Sequence, residues 1–317
     1  MRILIFTIAF ASLGFVSCVN EIEVLESVEQ AAVPLAISVC GQPEAKGQLT
    51  GTYLPDGATL GVFMRAADGS RYDGLSLQNV KYTATGSGVG QTWSGEVSSP
   101  IDLSSTVGTA YAFYPWFSSD LSALRFPITN DGTDWMYAQS PAQNLSVANN
   151  QAQFFMKHAL SIIRCRVVKG HYVGDGKVTT VGVSSPGLAH SGTMDLLAGS
   201  VTDLVGADTE IAAKNVGYLG DEPLVVELWA VPTNIRGTLA FRIVSDGDVY
   251  LASSSDLTVQ AGGVYNYTIT VNSQTVEISN VSIEEWNTKP SESLTPDVPQ
   301  MISRLQGDRL DAYSCRV

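Results

Sequence analysis

Histidine is scarce in this sequence: 317 residues hold three, His158, His171 and His190, in separate segments. No HExxH, no GxSxG and no Walker-type phosphate loop occurs. Cysteine is sparse as well. Cys18, Cys40, Cys165 and Cys315 show no CxxC spacing and no neighbouring histidine pair, which excludes a zinc framework and a dense disulfide scaffold. Positive charge is short: 18 Lys and Arg stand against 31 Asp and Glu, a net charge of −13, with no basic run. A chain of that kind is a poor partner for phosphate backbones or anionic lipid surfaces, so no nucleic acid is expected as a partner. Glu284 and Glu285 are adjacent. On a strand they point to opposite faces and make no acid–base pair. Gly86, Gly88 and Gly90 form a glycine-rich run with no helix pattern behind it, which reads as a turn. No catalytic, cofactor-binding or metal-ligating residue is expected, and no enzyme. Long segments of 3.6-residue period are missing too, which argues against a helical fold.

What is present begins with an address. Arg2 precedes the apolar run Ile3–Val16, which is too short to span a bilayer, and small Ser17 stands before Cys18. This is the pattern of a bacterial lipoprotein signal. Residues 1–17 would be removed and Cys18 would carry lipid. Several acyl chains at about 0.8 kcal/mol per buried CH₂ anchor a protein firmly to a membrane where one chain does not. Residues 18–32 then read as an acidic tether.

The rest is strand and turn. In 33–40, Val33, Leu35, Ile37 and Val39 alternate with Pro34, Ala36, Ser38 and Cys40. Pro34 cannot donate to a ladder, so this strand belongs at a sheet edge or starts there. ATLGVFMR, NVKYTAT, QTWSGEV, TAYAFYPWF and LRFPI follow at short intervals. The apolar run QFFMKHALSIIRCRVVKG suits one well-buried strand. TLAFRIVSDGDVYLAS suits a hairpin about Asp246–Gly247. GGVYNYTITVN shows the cleanest alternation, with Tyr265, Tyr267, Ile269 and Val271 on one face. Many short strands with Gly-rich turns make the fold all-β, built of sandwiches. The polar stretch 140–153 suggests a boundary, giving sandwiches at 33–150 and 151–287. Residues 288–317, with Pro290, Pro296 and Pro299, read as a tail. Cys40 and Cys165 lie in apolar strand-like runs and read as small buried hydrophobes. A disulfide among Cys40, Cys165 and Cys315 stays open. Tyr111, Phe113, Tyr114, Trp116 and Phe117 lie together, with Trp135 and Tyr137 nearby. They either fill the end of the first sandwich or, with Trp116 and Trp135 exposed, stack on sugar faces.

Taken in order, the lipobox cysteine, LPDGATLGVF, AYAFYPW, FFMKHALSIIRCRV, SGTMDLLAGSV and GGVYNYTITVN…VSIEEWN resemble the fimbrillins. These are lipoprotein pilins of Bacteroides-type bacteria, and the resemblance spans about residues 18–287. It implies two tandem transthyretin-like β-sandwiches after the lipoprotein signal, and export to the outer membrane and cell surface. It also implies cleavage in the loop after the first strand, followed by refilling of the vacated groove with a strand from the next subunit. Here the displaced strand would present Val33, Leu35, Ile37 and Val39. The sequence departs from that pattern twice. Processed members usually offer an arginine in the loop, whereas Lys46 is its only basic residue here. The prolines of the tail weigh against a simple C-terminal donor strand. A tip, accessory or stalk subunit is therefore expected, with other fimbrial subunits as partners. The alternative is a monomeric surface lipoprotein that binds a host glycan or protein through Trp116 and Trp135.

Overall fold

The computed structural model describes residues 32–40, 54–72, 79–97, 100–118, 124–186, 188–206, 209–231, 236–254 and 257–285. Cys18, Lys46 and the 288–317 tail lie outside them. Among the described residues there is no α-helix. The first half contributes β1 (Val33–Pro34), β2 (Ala36–Cys40), β3 (Thr59–Ala66), β4 (Val80–Thr85), β5 (Thr92–Gly95), β6 (Asp102–Leu103), β7 (Gly108–Tyr114), β8 (Arg125–Thr129), β9 (Met136–Ser140), β10 (Ala142–Leu145) and β11 (Gln151–His158). The second half contributes β12 (Ser161–Lys169), β13 (Lys177–Ser184), β14 (Ser191–Asp195), β15 (Ser200–Val205), β16 (Ile211–Tyr218), β17 (Leu224–Ala230), β18 (Arg236–Gly237), β19 (Ala240–Ser245), β20 (Asp248–Ser253), β21 (Leu257–Thr258), β22 (Gly263–Val271) and β23 (Val276–Glu285).

In the first half one sheet runs β2-β11-β9-β7-β3-β4-β5, with β10 also paired to β7. Its end strands, β2 and β5, approach each other, so the sheet rolls around a single core. Leu60, Val62 and Met64 of β3 point into that core together with Tyr82, Ala110, Phe154 and Met156. In the second half, the sheets β17-β12-β22-β23 and β16-β13-β19-β20 face each other as a sandwich. Tyr265, Tyr267, Ile269 and Val271 of β22 meet Val181, Val183, Phe241 and Ile243 of the opposite sheet. Asp246 and Gly247 both have positive φ, 52° and 91°, the backbone that a two-residue hairpin between β19 and β20 requires.

The two halves share a third core. β8 leaves the first half and pairs with β14, giving the small sheet β15-β14-β8. Phe63, Phe113, Phe126, Tyr137, Leu160, Met194 and Val231 are buried beneath it. β3 is therefore covered on both faces, where one-sided alternation is all its sequence suggests. The run 151–168 likewise resolves into two strands. β11, which the sequence reading puts at the head of the second sandwich, hydrogen-bonds to β2 and β9 in the first-half sheet. The change of sheet falls at Ala159 and Leu160, both 0% exposed in the third core, and not in the 140–153 stretch.

The turn end of the second sandwich is held by Asp246. Its carboxylate accepts from the backbone N–H groups of Gly176 (2.7 Å) and Lys177 (2.8 Å) and from the Tyr172 hydroxyl (2.9 Å). The backbone donors, first Gly176 and then Lys177, hold its pKa below the ordinary aspartate value. A carboxyl lowered in the folded state stabilises above its unfolded pKa of about 3.9 and loses that contribution as pH falls toward the folded value. Asp246→Asn is thus expected to lower the melting temperature at pH 7. It should also flatten the acid limb of a melting-temperature profile below about pH 4. A limb of unchanged slope in the variant would contradict this.

Candidate functional site

The segment 33–40 occupies a slot at one end of the first-half sheet. Leu35, Ile37 and Val39 are 4%, 9% and 6% exposed and belong to the first core. Val33 is only half buried, because it pairs with Leu103 on the short β1–β6 ladder and stands outside that core. Three inward side chains, where the alternation suggests four, thus fill the slot. β2 runs parallel to β11, with Ala36 opposite Gln151 and Cys40 opposite Phe155, while every other pair in this sheet is antiparallel among the described residues. Pro34 sits in β1, at the start of the segment, where its missing N–H disturbs no central ladder.

Between β1 and β2 the backbone changes partner, and Leu35 is the corner. The Leu35 N–H donates to the Ile101 carbonyl at 2.8 Å, and the Ala36 N–H donates to the Asn150 carbonyl at 2.9 Å. The Pro34 carbonyl accepts from the Asn150 side-chain amide at 3.0 Å, and the Leu35 carbonyl accepts from the Tyr82 hydroxyl at 3.1 Å. Four main-chain groups that leave one ladder before joining the next are thereby satisfied. Tyr82 is 3% exposed; burial, and then the charge of Asp102, push its pKa up to about 12. It remains a protonated donor across physiological pH. Its ring reaches the slot by lying against Gly95 on β5, where a Cβ would stand 3.0–3.1 Å from the ring atoms.

Trp116 and Trp135 are half buried and edge the third core. The Trp116 indole N–H donates to the Asn79 carbonyl at 3.2 Å, and the Lys81 ammonium lies 4.9 Å from its ring centroid. Trp135 packs against Phe117 and Phe126 at centroid distances of 5.9 and 5.8 Å. The structure thus brings both indoles into one aromatic cluster, with ring surface engaged by protein. Cys165 is buried in the second core, where burial pushes its thiol up to about 12. Among the described residues no group of three or more His, Cys, Asp or Glu could hold a metal ion. Tyr82, Asn150 and Ile101, which close the corner, carry no local sequence signal. They reach the segment from 47, 116 and 66 residues away (82 − 35, 150 − 34, 101 − 35).

The fold has relatives among solved structures. A crystal structure of a protein assigned to cell adhesion from Bacteroides uniformis superimposes with a TM-score of 0.60 at 19% identity, over 80% of this chain and 98% of that one. A second such protein, from Bacteroides ovatus, gives 0.63 at 14% identity, over 82% of this chain and all of that one. A third, from Bacteroides fragilis, gives 0.51 at 13% identity. No curated protein matches the sequence. The model of the fimbrillin-like family matches residues 49–286, most of the chain, and the chain belongs to that family.

Proposed function

We propose that this protein is a fimbrial subunit of the cell surface, exported as a lipoprotein through Cys18 and assembled with other subunits by exchange of the strand 33–40. Family membership supports the subunit role and its place in a surface fimbrium. The two halves act as tandem transthyretin-like sandwiches joined by the third core. The outer membrane holds the precursor through its lipid, and cleavage after Lys46 frees the first strand.

One observation carries the exchange step: the segment is a terminal parallel strand whose removal opens a strand-shaped slot between β11 and β5. Burying Leu35, Ile37 and Val39 is worth about 4.5–9 kcal/mol at roughly 1.5–3 kcal/mol each. Net domain stability is about 5–15 kcal/mol. A subunit that has lost the segment is marginal until another strand enters, and that drives polymerisation. Since both indoles pack against protein, glycan capture by Trp116 and Trp135 has less support.

Limited trypsin digestion of residues 19–317, read by N-terminal sequencing and by heated and unheated gels, tests the assignment. Cleavage after Lys46 followed by heat-sensitive ladders is the expected result for a stalk subunit. Complete cleavage without ladders, even with a polymerising subunit added, would remove the stalk role and leave a tip or accessory subunit.

A further inference from the structure

We infer that the corner at Leu35 is a lock, in which Tyr82 and Asn150 hold the entering main chain of whichever strand occupies the slot and a proline in the position of Pro34 bars a slip forward. For the resident segment this stands on the contacts alone. For an incoming strand it rests on the exchange reading above.

The ladder to β11 cannot set register by itself. Its bonds are main-chain bonds, open to any extended segment. A slip of one residue would turn Leu35, Ile37 and Val39 to solvent, but a slip of two preserves their face. The resident sequence offers Val33, Leu35, Ile37 and Val39 in succession, so apolar fit barely distinguishes the resident alignment from one shifted two residues forward. The corner distinguishes them in one direction. It asks for carbonyls at the places of Pro34 and Leu35, facing Asn150 and Tyr82, and for N–H groups at the places of Leu35 and Ala36, facing Ile101 and Asn150. Moving the segment two residues forward would put Pro34 where the Ala36 N–H is needed, and proline has none. Moving it two residues back would leave the corner paired, and there the core decides, because Gly41 would come to the place of Val39 and fill none of it.

Tyr82 is fitted to this task in three respects. Its hydroxyl is buried, so a strand that brings no carbonyl to the place of Leu35 leaves an unsatisfied donor. Its ring is held between the core and Gly95, which restricts where the hydroxyl can go. It comes from β4, across the slot from β11, so the two walls are gauged against each other. The strand recognised is therefore an extended aliphatic one, with alternate large side chains and two consecutive free carbonyls where it enters.

The test has two parts. In the intact chain, hydrogen exchange of the amides of residues 35–39 is expected to speed up about tenfold in Tyr82→Phe and again in Tyr82→Phe/Asn150→Ala. Amides of β12 and β22 should not change. Next, a protease site introduced within 41–53 is cut, and a labelled peptide of residues 32–42 competes with the resident segment. A peptide carrying a thioamide at the Leu35 carbonyl, a weaker acceptor, should bind several-fold less well to the wild type. That penalty should vanish in Tyr82→Phe, whereas a merely structural tyrosine would leave it unchanged. Equal penalties in both proteins, or unchanged exchange at 35–39, would overturn the lock. If the resident segment never leaves the cut wild type while Tyr82→Phe still speeds amide exchange, the lock holds for the resident strand and strand exchange fails.

Discussion

A chain carrying both Leu35→Ala and Ile37→Ala is expected to lose about 4–10 kcal/mol, at roughly 2–5 kcal/mol for each large-to-small change in a core. Both side chains are buried in the first core and neither touches the second. The loss should therefore appear first as lost amide protection in β7, β9 and β11, with β12 and β22 still protected. Calorimetry would show a new low-temperature transition ahead of the main one. The comparison matters because total stability is about 5–15 kcal/mol. A loss at the upper end of the expected range would leave the first half unfolded at growth temperature, which is the state ascribed to a subunit stripped of its strand. A total loss under about 2 kcal/mol would show that the segment is ornamental to the fold, and the exchange reading would lose its driving force. Simultaneous loss of protection in all three cores would show that the shared aromatic core makes the halves one cooperative unit.

How far the sequence could reveal this arrangement depended on the range of the interactions. The β22 strand and the Asp246–Gly247 hairpin were legible because their signals are local: period-two alternation in one case, two residues tolerant of positive φ in the other. The slot segment was legible for the same reason, down to Pro34 at its start, although Val33 lies outside the core. The break at Ala159–Leu160 was not. A chain usually turns at polar residues in water, but this one turns inside the third core, so the corner is as apolar as the strands it joins. Phe63 was hidden in the same way. It sits on the face of β3 that alternation assigns to solvent, and only the arrival of β8 and β14 covers it. The anchors at Leu35 depend on groups tens of residues away, beyond any window of local reading.

Gly61 shows the same point at a single position and carries the second large effect. It stands directly opposite Phe113 on the β3–β7 ladder, and the Phe113 ring lies over its Cα. A Cβ at residue 61 would overlap that ring and the Asn79 side-chain oxygen. Phe113 is 0% exposed, stacks near Phe63, and meets Phe126 at 4.6 Å, so it has nowhere to retreat. Gly61→Ala should cost about 1–3 kcal/mol by overpacking, and Gly61→Val more, despite the better strand propensity of both residues. Propensity alone predicts the opposite sign, which makes the outcome decisive. Phe113→Ala should cost about 3–5 kcal/mol by leaving a cavity in the third core. The two changes should not add. With the ring gone, the methyl of Gly61→Ala has only the Asn79 side-chain oxygen left to displace, so Gly61→Ala should cost less in the Phe113→Ala background than in the wild type. Denaturant unfolding of the four proteins in the cycle measures this directly, and strict additivity would mean that Gly61 serves some purpose other than seating Phe113.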